Sequence, residues 1–118
     1  MAGKTYKDLI VWQKSFLLAK LTYEITSSLP KSEIYGISSQ VQRCAVSIPS
    51  NIAEGQQRNN VKEYRHFLGI AKGSSAELET QLLLINDIYK IDCLKQLDLL
   101  TEVQKMLSVL IKKLEPVT

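Results

Sequence analysis

Residues 60–91 read NVKEYRHFLGIAKGSSAELETQLLLINDIYKI, the longest helical pattern in the chain. Tyr64, Phe67, Leu68, Ala71, Ser75, Leu78, Leu82, Ile85 and Tyr89 recur on one stripe, as the face of a buried α-helix requires. Asn60 and Glu63 form a capping pair for the amides that a helix start leaves unbonded. At the centre, Gly73-Ser-Ser-Ala76 is all small side chains. These lower helix propensity but let a neighbouring helix approach closely, so the tightest interhelical contact is expected there.

Three further segments carry the same period. Thr5 with Asp8 forms a short capping box ahead of Leu9, Trp12, Phe16, Ala19 and Tyr23, with Val11, Leu18 and Ile25 as a second stripe, until Pro30 ends the run. Ser32 is placed to cap a helix whose face is Ile37, Val41, Cys44, Ala45, Ile48 and Ile52. Pro49 inside it predicts a kink, with Ser47, Ser50 and Asn51 near the freed carbonyls, and Gly55 suits a left-handed helix end. Asp92 can cap a last helix built on Leu97, Leu100, Val103, Leu107, Leu110, Ile111 and Leu114. Helices over roughly 6–29, 33–55, 60–91 and 94–115, joined by short connections, predict a single all-α domain spanning 1–118, an antiparallel up-down-up-down four-helix bundle.

Composition agrees with that reading. The 118 residues are 45% hydrophobic and 23% charged, with five glycines and three prolines, which leaves little room for a sheet-rich or disordered chain. The longest apolar runs are far shorter than the roughly 20 residues a membrane span needs. Two cysteines, Cys44 and Cys93, make no disulfide framework, and with no apolar signal segment the expectation is a cytoplasmic protein with reduced thiols.

The net charge of +3 arises in the first half: residues 1–60 hold seven Lys/Arg against four Asp/Glu, and 61–118 hold eight against eight. Between 56 and 72, Arg58, Lys62, Arg65 and Lys72 face only Glu63. If the third helix extends back to 58, all four share one stripe opposite the core, open at Gly69, able to track phosphates. Arg43 on the second helix is a weaker candidate. Solvation of an exposed face is the competing reading of such residues.

Other chemistry is poorly supported. Glu63 and His66 give one Glu-x-x-His where a di-iron bundle needs two, and both point away from the core stripe, so no metal or other cofactor is expected. Cys44 and Cys93 have no base placed beside them, and Glu77 and Glu79 diverge around their helix, so no catalytic residues are assigned. Glu54 stands unfavourably for the helix dipole at a helix end, which suggests Arg43 or Arg58 as its partner. Trp12 and most tyrosines fall at core spacings, and without aromatic stacking platforms any nucleic-acid binding is expected to be nonspecific.

Four stretches carry a family resemblance. VQRCAVSIPSNIAEG (41–55) resembles the signature of the 23S rRNA intervening-sequence proteins, as do LIVWQK (9–14), the turn 30–36 and IAKGSSAELETQ (70–81). The resemblance implies an all-helical subunit of a homopentamer. Ile70, Leu84 and Ile88, on a flank outside the core stripe of the third helix, are its candidate interface, a wide core face being the alternative. The family is more distantly similar to the accessory protein of diversity-generating retroelements, a pentameric basic bundle that works with a reverse transcriptase and binds nucleic acid. RNA, DNA and a reverse transcriptase are therefore the expected partners beyond further copies of the chain.

Overall fold

The computed structural model describes residues 5–116. Within them lie four α-helices and two short 3₁₀ turns, with no strand. The helices are α1 (Ile10–Thr26), α2 (Ile37–Gln56), α3 (Val61–Tyr89) and α4 (Leu94–Lys113). Each packs on two neighbours, α1 on α2 and α4, α3 on α2 and α4, and the α2–α3 contact is the most extensive. At 29 residues α3 is about 43 Å long, close to the 48 Å long axis of the molecule.

Local chemistry sets the helix ends. The Thr5–Asp8 capping box forms, with Asp8 accepting from the Thr5 amide at 2.9 Å, but it closes a 3₁₀ turn over Tyr6–Asp8. Leu9 then takes an extended conformation (ψ 126°), so α1 starts at Ile10 rather than at 6. Its end falls at Thr26, short of 29. Lys31–Glu33 form the second 3₁₀ turn, which delays α2 to Ile37. The Glu33 carboxylate there accepts from the Ile37 amide at 3.3 Å and from the Tyr89 hydroxyl, tying the end of α3 to this turn. Asn60 caps α3 by accepting from the Glu63 amide at 2.9 Å, and Lys90 ends it in the left-handed region (φ 56°). Asp92 accepts from the Leu94 amide at 2.9 Å where α4 begins.

The core is one cluster. Val11, Leu18 and Ile25 of α1 meet Val41, Ala45, Ile48 and Ile52 of α2, Leu68, Ala71, Leu78, Leu82 and Ile85 of α3, and Leu100, Val103 and Leu107 of α4. Each buried Leu or Ile contributes about 1.5–3 kcal/mol by leaving water. Polar ties cross between helices: the buried Gln96 donates to the Leu21 carbonyl at 3.0 Å, and nearer the surface Gln104 donates to Glu79 at 3.2 Å and Lys14 pairs with Glu102 at 2.7 Å.

Several expectations are corrected. On α1 the buried stripe is Val11, Ser15, Leu18, Thr22 and Ile25, while Phe16 and Tyr23 are 49% and 47% exposed and Trp12 is half-buried. Ser15 and Thr22 enter the core because their hydroxyls donate to the Trp12 and Leu18 carbonyls at 2.9 and 2.8 Å, so no polar atom is stranded. Pro49 lies inside α2 and leaves the Ala45 carbonyl without its helical donor; Asn51 donates not to that carbonyl but to the Ser47 carbonyl at 2.8 Å.

Gly55 is helical and ends nothing. A Cβ there would lie 2.8 Å from the Phe67 Cβ and 3.1 Å from the Tyr64 carbonyl oxygen, so this glycine is where α2 and α3 approach closely. Within the stretch Gly73–Ala76, where the tightest contact was expected, Ser74 does meet α2, pairing with Ser47 at 2.8 Å between hydroxyls, whereas Gly73 has nothing within 4 Å of such a Cβ.

Candidate nucleic-acid interface

The basic run after α2 is split by where α3 begins. Helix α3 starts at Val61, so Arg58 lies in the α2–α3 connection and does not share a helical stripe with Lys62, Arg65 and Lys72. Its guanidinium sits 3.0 Å from Glu54 and 3.7 Å from Glu63 and lies 4.9 Å from the Phe67 ring centroid. Glu54 therefore has the partner its place at a helix end required. Arg58 is largely neutralised, and its contacts are those of a residue that joins α2 to α3.

Lys62, Arg65, His66, Gly69, Ile70 and Ile111 line a shallow cleft of about 540 Å³ between α3 and α4. Arg65 reaches Glu115 beyond α4 at 3.4 Å, while its Nε is buried without a partner. Lys62 and His66 are exposed, and Lys72 is exposed one turn past Gly69, whose open face leaves the backbone bare between Arg65 and Lys72. Among the described residues neither Lys62 nor Lys72 has an ion-pair partner. The cleft thus offers the Lys62 ammonium and part of the Arg65 guanidinium beside the bare backbone of Gly69, with the Lys72 ammonium exposed one turn beyond it, which suits a phosphate oxygen.

Arg43 stands apart. It lines a polar cleft of about 540 Å³ between α2 and α3 with Ser39, Gln40, Ser47, Ser74 and Glu77, and bonds the Ser39 hydroxyl at 3.2 Å. The interface candidates also separate. Ile70 belongs to the lysine-lined cleft, whereas Leu84 and Ile88, 45% and 59% exposed, lie on the far half of α3. All three are exposed, so the wide-core alternative does not hold.

Both cysteine thiols are held in the protonated form. Burial and the nearby Glu77 carboxylate push the Cys44 thiol up to about 11, and its Sγ points at the Ser74 carbonyl 3.0 Å away. The Cys93 thiol is also raised, by burial and then Asp92. Glu63 turns to Arg58, the His66 ring packs edge-on against Phe67, and no metal-binding group of three or more His, Cys, Asp or Glu occurs among the described residues. No described helix is long and apolar enough to cross a membrane.

A feature that periodicity hid is a groove of about 740 Å³ between α1 and α2, lined by Tyr6, Trp12, Phe16, Tyr23, Val46 and Pro49 among others. Trp12 meets Tyr6 edge-on and Phe16 at a tilt, at centroid distances of 5.3 and 5.1 Å. The signal was present: α1 has two apolar stripes and only one can face the core.

The search of curated proteins found no match. The family model described as 23S rRNA-intervening sequence protein matches residues 7–112, nearly the whole chain and all four helices. The chain belongs to the 23S rRNA-intervening sequence protein family.

Proposed function

We propose that this chain is a non-enzymatic, nucleic-acid-binding accessory protein that works as a homopentamer of antiparallel up-down-up-down bundles in the cytoplasm. Lys62 and Lys72 make the main phosphate contacts, Arg65 joins them when it leaves Glu115, and Arg58 and Arg43 contribute less. The observation that carries this reading is the pair of exposed lysines without carboxylate partners on either side of Gly69. His66, packed edge-on against Phe67, is the one aromatic ring lining that cleft, so recognition is mainly of the backbone and largely insensitive to sequence. Repetition of a weak patch around a ring multiplies affinity through effective concentration. The antiparallel arrangement is supported by which ends meet: Gly55 near the end of α2 touches Tyr64 and Phe67 near the start of α3, and Arg65 there reaches Glu115 past the end of α4.

Fluorescence anisotropy with labelled RNA and DNA at low salt, on protein whose mass is determined by light scattering, tests the reading. Binding by an oligomer supports it, and an intact oligomer that binds neither contradicts it. A second reading, a scaffold that docks another protein such as a reverse transcriptase, is favoured by Ile34 and Tyr35. They stand 53% and 97% exposed on the α1–α2 connection.

A further inference from the structure

The pair of helices α3 and α4 is electrically polar along its length. Residues 56–72 and 103–116, at its open end, hold seven Lys/Arg against two Asp/Glu, whereas residues 73–102, which include the tip where α3 turns into α4, hold two against six. The two carboxylates of the open end are engaged, Glu63 by Arg58 and Glu115 by Arg65. Lys62, Lys72, Lys105, Lys112 and Lys113 are exposed, and none has an ion-pair partner among the described residues. A polyanion that approaches this face is drawn to the open end and repelled from the tip.

The cations stand in two rows. On α3, Lys62, Arg65 and Lys72 fall within about 80° of one another around the helix and span about 15 Å along it. On α4, Lys105 and Lys112 lie two turns, about 10 Å, apart on the side opposite the buried Val103. Two ties across the seam set the rows against each other: Gln104 meets Glu79 at 3.2 Å and Arg65 meets Glu115 at 3.4 Å. Lys112 therefore comes level with Gly69, in the gap between Arg65 and Lys72, and Lys105 stands about one turn past Lys72. Ile111, beside Lys112, lines the cleft together with Gly69.

We propose that the ligand of this surface is double-stranded nucleic acid, with one strand on the α3 row, Lys62 and Lys72, and the other on the α4 row, Lys105 and Lys112. This rests on the phosphate reading above; it adds a second row of contacts and names the class of ligand. Packed helices lie about 8–10 Å apart, and the grooves of B-form DNA, about 6 and 12 Å wide, bracket that separation. Rows on two rigid helices can thus straddle a groove between paired backbones. A single strand is held differently, by aromatic platforms on which successive unstacked bases lie. The one aromatic ring lining this cleft, His66, is too few for that. The negative tip confines the contact to the open end.

Fluorescence anisotropy across a salt series tests this, with one labelled sequence free of self-complementarity presented as RNA duplex, DNA duplex and single strands. At low salt a duplex should bind roughly tenfold or more tightly than the single strands, and whether RNA or DNA leads identifies its source. Lys105→Gln/Lys112→Gln should lower the duplex salt slope by about 1.8 per bound subunit, two contacts' worth. Lys105→Arg/Lys112→Arg, which keeps the charges, should hold the wild-type slope, as should Lys90→Gln/Lys95→Gln near the tip. Circular dichroism and light scattering check that each variant keeps its fold and mass. Single strands bound as tightly as duplexes overturn the duplex assignment and leave the phosphate reading standing. A glutamine pair with the wild-type slope, or an arginine pair that loses as much as the glutamine pair, overturns the α4 row. An equal loss in the tip variant overturns confinement to the open end. Absence of binding to every probe overturns the phosphate reading itself.

Discussion

The Cα of Gly55 faces the Phe67 side chain so closely that an added methyl group would lie 2.8 Å from the Phe67 Cβ. The obstacle is the root of a side chain and the Tyr64 carbonyl, neither of which can swing away, so the two helices would have to part. Gly55→Ala should therefore destabilise the protein by about 1–3 kcal/mol, even though alanine favours a helix by about 1 kcal/mol. Gly73→Ala, with nothing within 4 Å, should stabilise by up to about 1 kcal/mol. Urea unfolding of both variants checks the pair, and equal effects would contradict the assigned contact.

The Asn60 side chain holds the first turn of α3 by accepting from the Glu63 amide. Asn60→Ala should cost about 1 kcal/mol in the same measurement. No change would mean that solvent caps this helix equally well.

Cys44 gives a pH signature. Its thiol is raised in the folded protein from 9.0 to about 11, so the folded state holds the proton more tightly than the unfolded state. The stability this provides is complete below pH 9 and is lost as pH rises toward 11. Cys93, Tyr64 and Tyr89 are shifted in the same direction and add to the fall. Unfolding midpoints measured across that range should decline, and less steeply in Cys44→Ala. At neutral pH iodoacetamide should label the thiols only after unfolding.

Glu115 competes with phosphate for Arg65. The pair is exposed, so removing it should change stability by less than about 1 kcal/mol. Glu115→Gln should nevertheless tighten nucleic-acid binding at low salt, because Arg65 then joins Lys62 in the cleft. Unchanged affinity would exclude Arg65 from the contact.

The four helices were legible because Leu68, Leu78, Leu82 and Ile85, or Leu100, Val103 and Leu107, leave one solution for their period. What escaped depended on matters that a linear pattern does not encode. On α1 two apolar stripes compete, and the buried one contains Ser15 and Thr22, whose hydroxyls turn back to their own helix. Aromatic bulk therefore pointed to the wrong face and concealed the groove. Gly55 fitted a helix end by residue type, and its actual use, close approach to Phe67, depends on a helix remote from it in sequence. The spacing of Arg58, Lys62, Arg65 and Lys72 suggested one stripe, but α3 starts at Val61 and carboxylates claim Arg58. Lys62 and Lys72 were readable as exposed cations, and the cleft that joins Lys62 to Arg65 and Ile70 was not.

The most direct measurement is the affinity for single-stranded and duplex RNA and DNA across a salt series, for the wild type and for Lys62→Gln/Lys72→Gln, with mass followed in the same buffers. Log affinity should fall linearly with log salt. The double variant should lose slope by about two phosphate contacts per bound subunit while keeping the oligomer and its stability. Tight binding that ignores salt, or a double variant with the slope of the wild type, would contradict phosphate recognition by this cleft.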